Sequence, residues 1–378
     1  MVADEATGGV VFQLPADDGQ DEGTKVTPRS VIARVLRALK ESSQGMLGAR
    51  VQQCVLTVAC DASERARAEL VAAAEEAGLE VVQMMLGPIA AAVGSGLDMV
   101  HVNCVGSATT PYHALVIDVG VGTEAALIEV MEGGVMRVVD AVGNPEVGGT
   151  AIDEAIGAHF AKAFKRKCKL DLTESPRAVA KLQSHIQTLK QVLSNSSDAS
   201  LSIDSLYEGV DFNAKLNRSR FDMIVSKILA AAVATATDML EAHGLDAESV
   251  GTVILVGGCA NIPRLQKLVC DTFGEAKSVI SRDPSEVVVC GAAVQGAVVS
   301  VSPEHDADEM AAAAESTSLT GEVADVDALN REVRECLSGV ASALVCIVCP
   351  VAGLYLLSQT HTHTHTHTHG TCTPRRWR

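Results

Sequence analysis

Apolar side chains at Val31, Ile32, Val35, Leu36 and Leu39 recur three and four residues apart, and this spacing predicts a helix over 29–45 with one face toward a core. The run from Val51 to Val58 reads as a buried strand. Residues 63–77 read as a second helix, with Ser63 as N-cap and Gly78 just past its end, and 79–86 as another strand. Strand, helix and strand in that order imply a right-handed crossover with parallel pairing. Further on, Ala114 to Asp118 runs into glycines. The segments 126–130 and 135–139 flank Glu132-Gly133-Gly134, which predicts a meander of antiparallel strands. Ile152, Ile156, Phe160 and Phe164 lie four apart, so a helix over 150–166 should cover that sheet. Ser175-Pro176 caps and opens another helix, whose apolar stripe is Val179, Leu182, Ile186, Leu189 and Leu193. A strand and hairpin follow at 200–213, then a helix from Arg220 to His243 stopped by Gly244. The short strand 252–256 ends on Gly257-Gly258, Pro263 opens the next helix, and an apolar helix carries Gly291 to Gln295. The sum is an α/β fold with ordered sequence ending near Ser302.

Past that point the pattern changes. Residues 303–334 are acidic and rich in Ala and Ser, 337–357 are almost wholly apolar, and 360–369 repeat Thr-His. The apolar run has the length of a bilayer span and is followed by Arg375, Arg376 and Arg378. Ser338, Gly339, Ser342, Pro350 and Gly353 weaken it as a helix, so a membrane anchor at 337–357 is the less favoured reading. Alternate histidines from His361 to His369 can collect Zn²⁺ or Ni²⁺, but nothing fixes their geometry. A repeat without function and no metal site is the expectation. The tail also reads as translated non-coding sequence. The chain thus divides into an acidic segment 1–23, a domain 24–301 and a mostly disordered tail 302–378 that carries no compact domain.

Composition narrows the partners. Hydrophobic residues make up 47% of the chain and aromatics only 3%, so the core must be built from Ala, Val, Leu and Ile. A net charge of −17 argues against nucleic acid, because phosphate binding needs clustered Lys and Arg. Eleven Cys without short paired spacings read as reduced thiols, and the acidic N-terminus lacks the form of a secretory signal. Both point to the cytoplasm.

Candidate chemistry lies in the glycines. In Asp118-Val119-Gly120-Val121-Gly122-Thr123, glycines at alternate positions let backbone N–H groups approach phosphate oxygens, and the Thr123 hydroxyl adds a donor. A tight hairpin would need glycine too. However, Gly143-Asn144-Pro145-Glu146-Val147-Gly148-Gly149 forms a second such loop ahead of a helix, and Gly257-Gly258 forms a third.

Residues 202–212 (SIDSLYEGVDF), 252–268 (TVILVGGCANIPRLQKL) and 283–297 (DPSEVVVCGAAVQGA) closely resemble segments of the Hsp70 nucleotide-binding domain. So do VLTV at 55–58, PIAAAVGSGLD at 88–98 and VIDVGVGT at 116–123. The resemblance implies an actin-like ATPase fold, N-terminally incomplete, with two lobes around a cleft for ATP or ADP with Mg²⁺. It places Asp118, Gly120, Gly122 and Thr123 in a phosphate loop, with Val121 in place of the family's middle glycine. Gly148 and Gly149 belong to the second glycine loop. Lys190 and Ser194 match positions that hold adenosine, with Gln187 and Gln191 replacing an acid and an arginine there. Gly257 and Gly258 match the adenosine loop, where Cys259 and Asn261 replace its serine and arginine. No catalytic residue is intact on this reading. Gly87 stands where the family has a glutamate and Ala125 where it has an aspartate near the metal, both taken to be lost from one site with nothing nearby to compensate. Ala59 replaces a proline that relays nucleotide state. The first phosphate loop is expected before residue 24 and is not found there, and no peptide-binding half follows residue 301. The resemblance therefore implies a chaperone-related protein that binds nucleotide weakly and hydrolyses it poorly. It would act as a scaffold with a J-domain co-chaperone at the ribosome or on nascent chains. The alternatives are a slow chaperone ATPase and a truncated product without stable activity.

Overall fold

The computed structural model describes residues 2–3, 10–13, 25–97, 112–131, 134–274, 278–280, 284–301 and 344–348. Three short strands open it. β1 (Val2–Ala3), β2 (Val10–Gln13) and β3 (Lys25–Val26) pair antiparallel, so the acidic first segment contributes sheet. Helix α1 (Pro28–Leu47) starts where Thr27 accepts a hydrogen bond from the Ser30 N–H, and it ends on Gly48 in the left-handed conformation. Strand β4 (Gln53–Val58), helix α2 (Glu64–Glu76) and strand β5 (Glu80–Leu86) form the expected parallel crossover, with Ser63 capping α2. Gly45, inside α1, has open space where a Cβ would stand. Gly45→Ala is therefore expected to stabilise the fold by about 0.5–1 kcal/mol, read as a rise in melting midpoint.

Helix α3 (Gly87–Gly94), which no apolar period marks in the sequence, follows β5 directly. The meander is β6 (Tyr112–Val119), β7 (Thr123–Val130) and β8 (Met136–Asn144), antiparallel throughout. Next come α4 (Gly149–Cys168), α5 (Pro176–Asn195), and the hairpin β9 (Asp198–Tyr207) with β10 (Val210–Asn217). Then follow α6 (Arg218–Ala242), β11 (Val250–Val256), α7 (Pro263–Phe273), β12 (Ser278–Ile280) and α8 (Val287–Val301). Strands β12 and β11 run parallel to β6, which gives a five-stranded sheet ordered β12-β11-β6-β7-β8. Of the apolar run 337–357 the described part is β13 (Leu344–Val348), an extended strand lying parallel to β4 and completing a three-stranded sheet ordered β13-β4-β5. The described part of that run is strand, not a spanning helix. The rest of the run and the Thr-His repeat lie outside the described residues.

Three apolar clusters order these elements into layers. Leu36 of α1 and Leu70 and Ala73 of α2 cover one side of β4 and β5. On the other side Val55 meets α3 and α8, which in turn lie on Val116, Ala126, Ile128 and Ile254 of the five-stranded sheet. The far face of that sheet, with Ile117, Leu127 and Leu255, carries α4 to α7 and the β9–β10 hairpin in the largest cluster. Phe160, Phe164 and Phe212 meet edge-on within it, at centroid separations of 5.5 and 6.1 Å. Helix α6 is long and apolar enough to cross a membrane, but Phe221, Val225 and Leu229 are buried in this core. Its hydropathy follows from packing.

Candidate functional site

The turn after β6, the loop before α4 and the turn after β11 meet at one place. Their glycines are needed where loop touches loop. A Cβ on Gly122 would stand 2.9 Å from the Asn144 oxygen, one on Gly148 2.6 Å from Gly122 Cα, and one on Gly149 2.8 Å from the Gly120 oxygen. Gly257, at φ +90°, would press a Cβ onto Asp118 and to 2.6 Å from the Val119 backbone. Backbone bonds complete the joint: Gly149 N–H donates to Gly120 O at 2.9 Å, and Thr150 N–H to Val121 O at 3.2 Å. Thr123, expected to offer its hydroxyl outward, is fully buried and donates it to Val147 O at 2.7 Å. Its role in the structure is to join the first loop to the second.

Lys190 and Ser194 lie on α5 beside this joint. The Lys190 ammonium pairs with Asp153 of α4 at 2.8 Å and donates to Gly149 O at 3.4 Å, so the cation is tied to the second loop. Ser194 donates to Lys190 O within the helix. Arg218, at the start of α6, donates to Leu193 O and Ser194 O and fixes the end of α5. Gln187, Gln191 and Asn261 are exposed. Cys259 is buried beneath the first loop, its thiol 3.6 Å from Gly120 O, and burial pushes that thiol up to about 11. Gly258 begins the short 3₁₀ turn that carries it.

Two carboxylates face the joint. The hairpin register sets Asp118 opposite Glu124, so both side chains leave the same face of β6 and β7. Burial, then the like charge of Glu124, raises the Asp118 pKa to about 7, and no hydrogen bond from the described residues reaches its carboxylate. Glu124 Oε2 accepts from the Cys60 N–H at 3.4 Å and the Cys60 thiol at 3.3 Å. Burial raises Glu124 as well, with Asp61 adding to it. No lysine or arginine forms an ion pair with either carboxylate among the described residues.

The two expected losses do not share one site. Ala125 pairs with Ile117 on the opposite face of the hairpin and is buried with Leu127 and Ile152. Gly87 instead begins α3 on the Asp118 side, where a Cβ would lie 3.7 Å from Glu124 Oε2. A carboxylate, that of Glu124, thus stands beside Gly87. Position-by-position matching to the family passes over Glu124, because it asks only what replaces the aspartate next to it. The available signal is a lone acid inside the apolar run Thr123-Glu124-Ala125-Ala126-Leu127, two strand positions from the glycine turn.

The arrangement suits a phosphate-bearing ligand with a divalent cation. A Cβ on Gly120 would lie 3.6 Å from the Asp118 carboxylate and one on Gly257 would press onto it, so the two glycines let these loops close around that buried acid. Mg²⁺ is commonly held by one or two carboxylates with substrate phosphates completing its shell. Among the described residues no three His, Cys, Asp or Glu side chains converge to hold a metal by themselves.

The family model described as "Hsp70 protein" matches residues 10–322. The heat shock 70 kDa protein 2 of Paracoccidioides lutzii is 34% identical over 279 residues, covering 74% of this chain and 42% of that protein. The heat shock 70 kDa protein of Neurospora crassa is 34% identical over 278 residues, covering 73% and 42%. A ribosome-associated molecular chaperone of Candida glabrata is 31% identical over 278 residues, covering 74% and 44%. The chain spans less than half the length of these relatives.

Proposed function

The chain belongs to the Hsp70 family, and from that premise we propose that it is a chaperone-type nucleotide-binding module that holds ATP or ADP with Mg²⁺ weakly and serves as a scaffold in protein folding. The observation that carries this reading is the meeting of the 118–123, 143–149 and 257–258 loops around the buried carboxylate of Asp118. In the binding state Gly120, Gly122, Gly148, Gly149 and Gly257 bring backbone to the phosphates, while Lys190 and Ser194 line the adenosine side. Mg²⁺, when bound, neutralises phosphate charge, and Asp118 holds it in place.

Weak binding follows from what the contacts lack. The Thr123 hydroxyl is already donated to Val147 and adds nothing to phosphate affinity, and Lys190 is already paired with Asp153, which weakens the adenosine side. Val121 places an isopropyl group in the phosphate loop, and Cys259 is buried beneath Gly120. The partners that suit such a scaffold are a J-domain protein and the ribosome or nascent chains, since one relative is named ribosome-associated. The cytoplasm is the compartment in which they meet. Calorimetry of ADP with Mg²⁺ tests the reading. The expected dissociation constant is above about 10 µM, equivalent to less than about 7 kcal/mol of binding free energy. Submicromolar binding would overturn the weak-binding claim, and the absence of any ADP effect at high concentration would overturn the nucleotide reading.

A further inference from the structure

We propose that Glu124 supplies from β7 the carboxylate for which Gly87 leaves room, and that it acts with Asp118 on the divalent cation accompanying the nucleotide. This inference rests on the nucleotide reading of the same cleft.

Three observations converge on Glu124. First, the register puts it directly across from Asp118 on one face of the hairpin. Two acids in that relation repel each other, and among the described residues no lysine or arginine pairs with either. A bound cation would remove the conflict. Second, Gly87 lies directly beside the Glu124 carboxylate. A Cβ there would make ordinary van der Waals contact with Oε2 at 3.7 Å, so a side chain built out from residue 87 would start next to the position that Glu124 fills. Third, the carboxylate is oriented by one edge only. The Cys60 N–H and thiol both reach Oε2, and no described residue bonds to Oε1. Oε2 is thus fixed by Cys60 while Oε1 is left without a hydrogen-bond donor among the described residues, which suits a carboxylate oriented for a ligand. Asp61 packs close to Gly143 of the second glycine loop and adds negative potential at the same point.

The relation between 87 and 124 provides the test, because a carboxylate should be movable from one position to the other. The ADP-induced rise in melting midpoint, measured with Mg²⁺ and with EDTA, reports weak binding at high ligand concentration. Wild-type protein should show a larger rise with Mg²⁺ than with EDTA. Glu124→Ala should lose that difference. Glu124→Gln, which retains an acceptor for Cys60 but no charge, should lose it too, so loss through misfolding is separated from loss of the carboxylate. The double variant Gly87→Glu with Glu124→Ala should regain the difference, which a purely structural role for the Cys60 contact would not allow. Retention of the Mg²⁺ difference in Glu124→Ala, or a folded double variant that fails to regain it, overturns the inference. An ADP shift indifferent to Mg²⁺ in wild type defeats this inference alone. No ADP shift in either condition defeats the nucleotide reading and this inference with it.

Discussion

Gly291→Leu is expected to destabilise the protein by about 3 kcal/mol or more and to part the two sheets, the largest stability effect of any single substitution at the α3–α8 crossing. A Cβ on Gly291 would press into the Ala90 carbonyl and come within 2.7 Å of Gly94 N. One on Gly94 would meet Val287 O and lie 2.9 Å from Gly291 N. These are backbone atoms of a neighbouring helix, so no side chain can rotate away. α3 and α8 are also the layer between the sheet of β4 and β5 and the five-stranded sheet, packed on Val55 from one side and on Val116 and Ile254 from the other. Widening that layer moves Gly87, at the start of α3, away from Glu124, so loss of stability and loss of the Mg²⁺ response should appear together. Chemical denaturation of the variant gives the first quantity. An unchanged midpoint would mean that the helices are not in such close contact.

How much of this can be read from the chain depends on where the determining contacts lie. Helices α1 and α5 are legible from their apolar stripes, and α2 and α5 from the caps Ser63 and Ser175, whereas the cap of α1, Thr27, is found only in the structure. The meander is legible because Glu132-Gly133-Gly134 marks its second turn. Helix α3 is not legible from periodicity, since Pro88, Ala90, Ala91 and Ala92 are buried between two sheets and the helix has no polar face to set a period. Strand β13 is hidden for a different reason. An apolar run of spanning length shows nothing of its pairing, and the partner, β4, lies far earlier in the chain. Spacing finds the glycine loops but shows only part of their use. Several of those glycines serve the contact of loop with loop. The Asp118–Glu124 pair escapes notice because matching positions one at a time to a family compares residue 87 and residue 124 each with its own column. Only the hairpin register and the start of α3 show that they lie side by side.

ATP hydrolysis by this protein is expected to be indistinguishable from background, a deficit of orders of magnitude against a working ATPase. Phosphoryl transfer depends on positioning and on neutralising charge that spreads over the transferring group, so absent groups compound. Glu124 provides a carboxylate for the cation, but its Oε2 is engaged by Cys60, and Asp118 is the other acid on that face. Thr123 donates its hydroxyl to Val147, and Lys190 is on the adenosine side and paired with Asp153, so neither stabilises the transferring phosphate. Ala125, on the opposite face and fully buried, adds no polar atom. Gly87→Glu should not restore turnover, since the new carboxylate would crowd Glu124 without adding a cation or a donor. The most direct measurement is phosphate release from excess ATP and Mg²⁺ by the purified protein, alone and with a J-domain protein, for wild type and Asp118→Ala. The expected result is the same background rate in every case. Sustained turnover in wild type that Asp118→Ala abolishes would contradict the claim that this cleft holds a nucleotide without working on it.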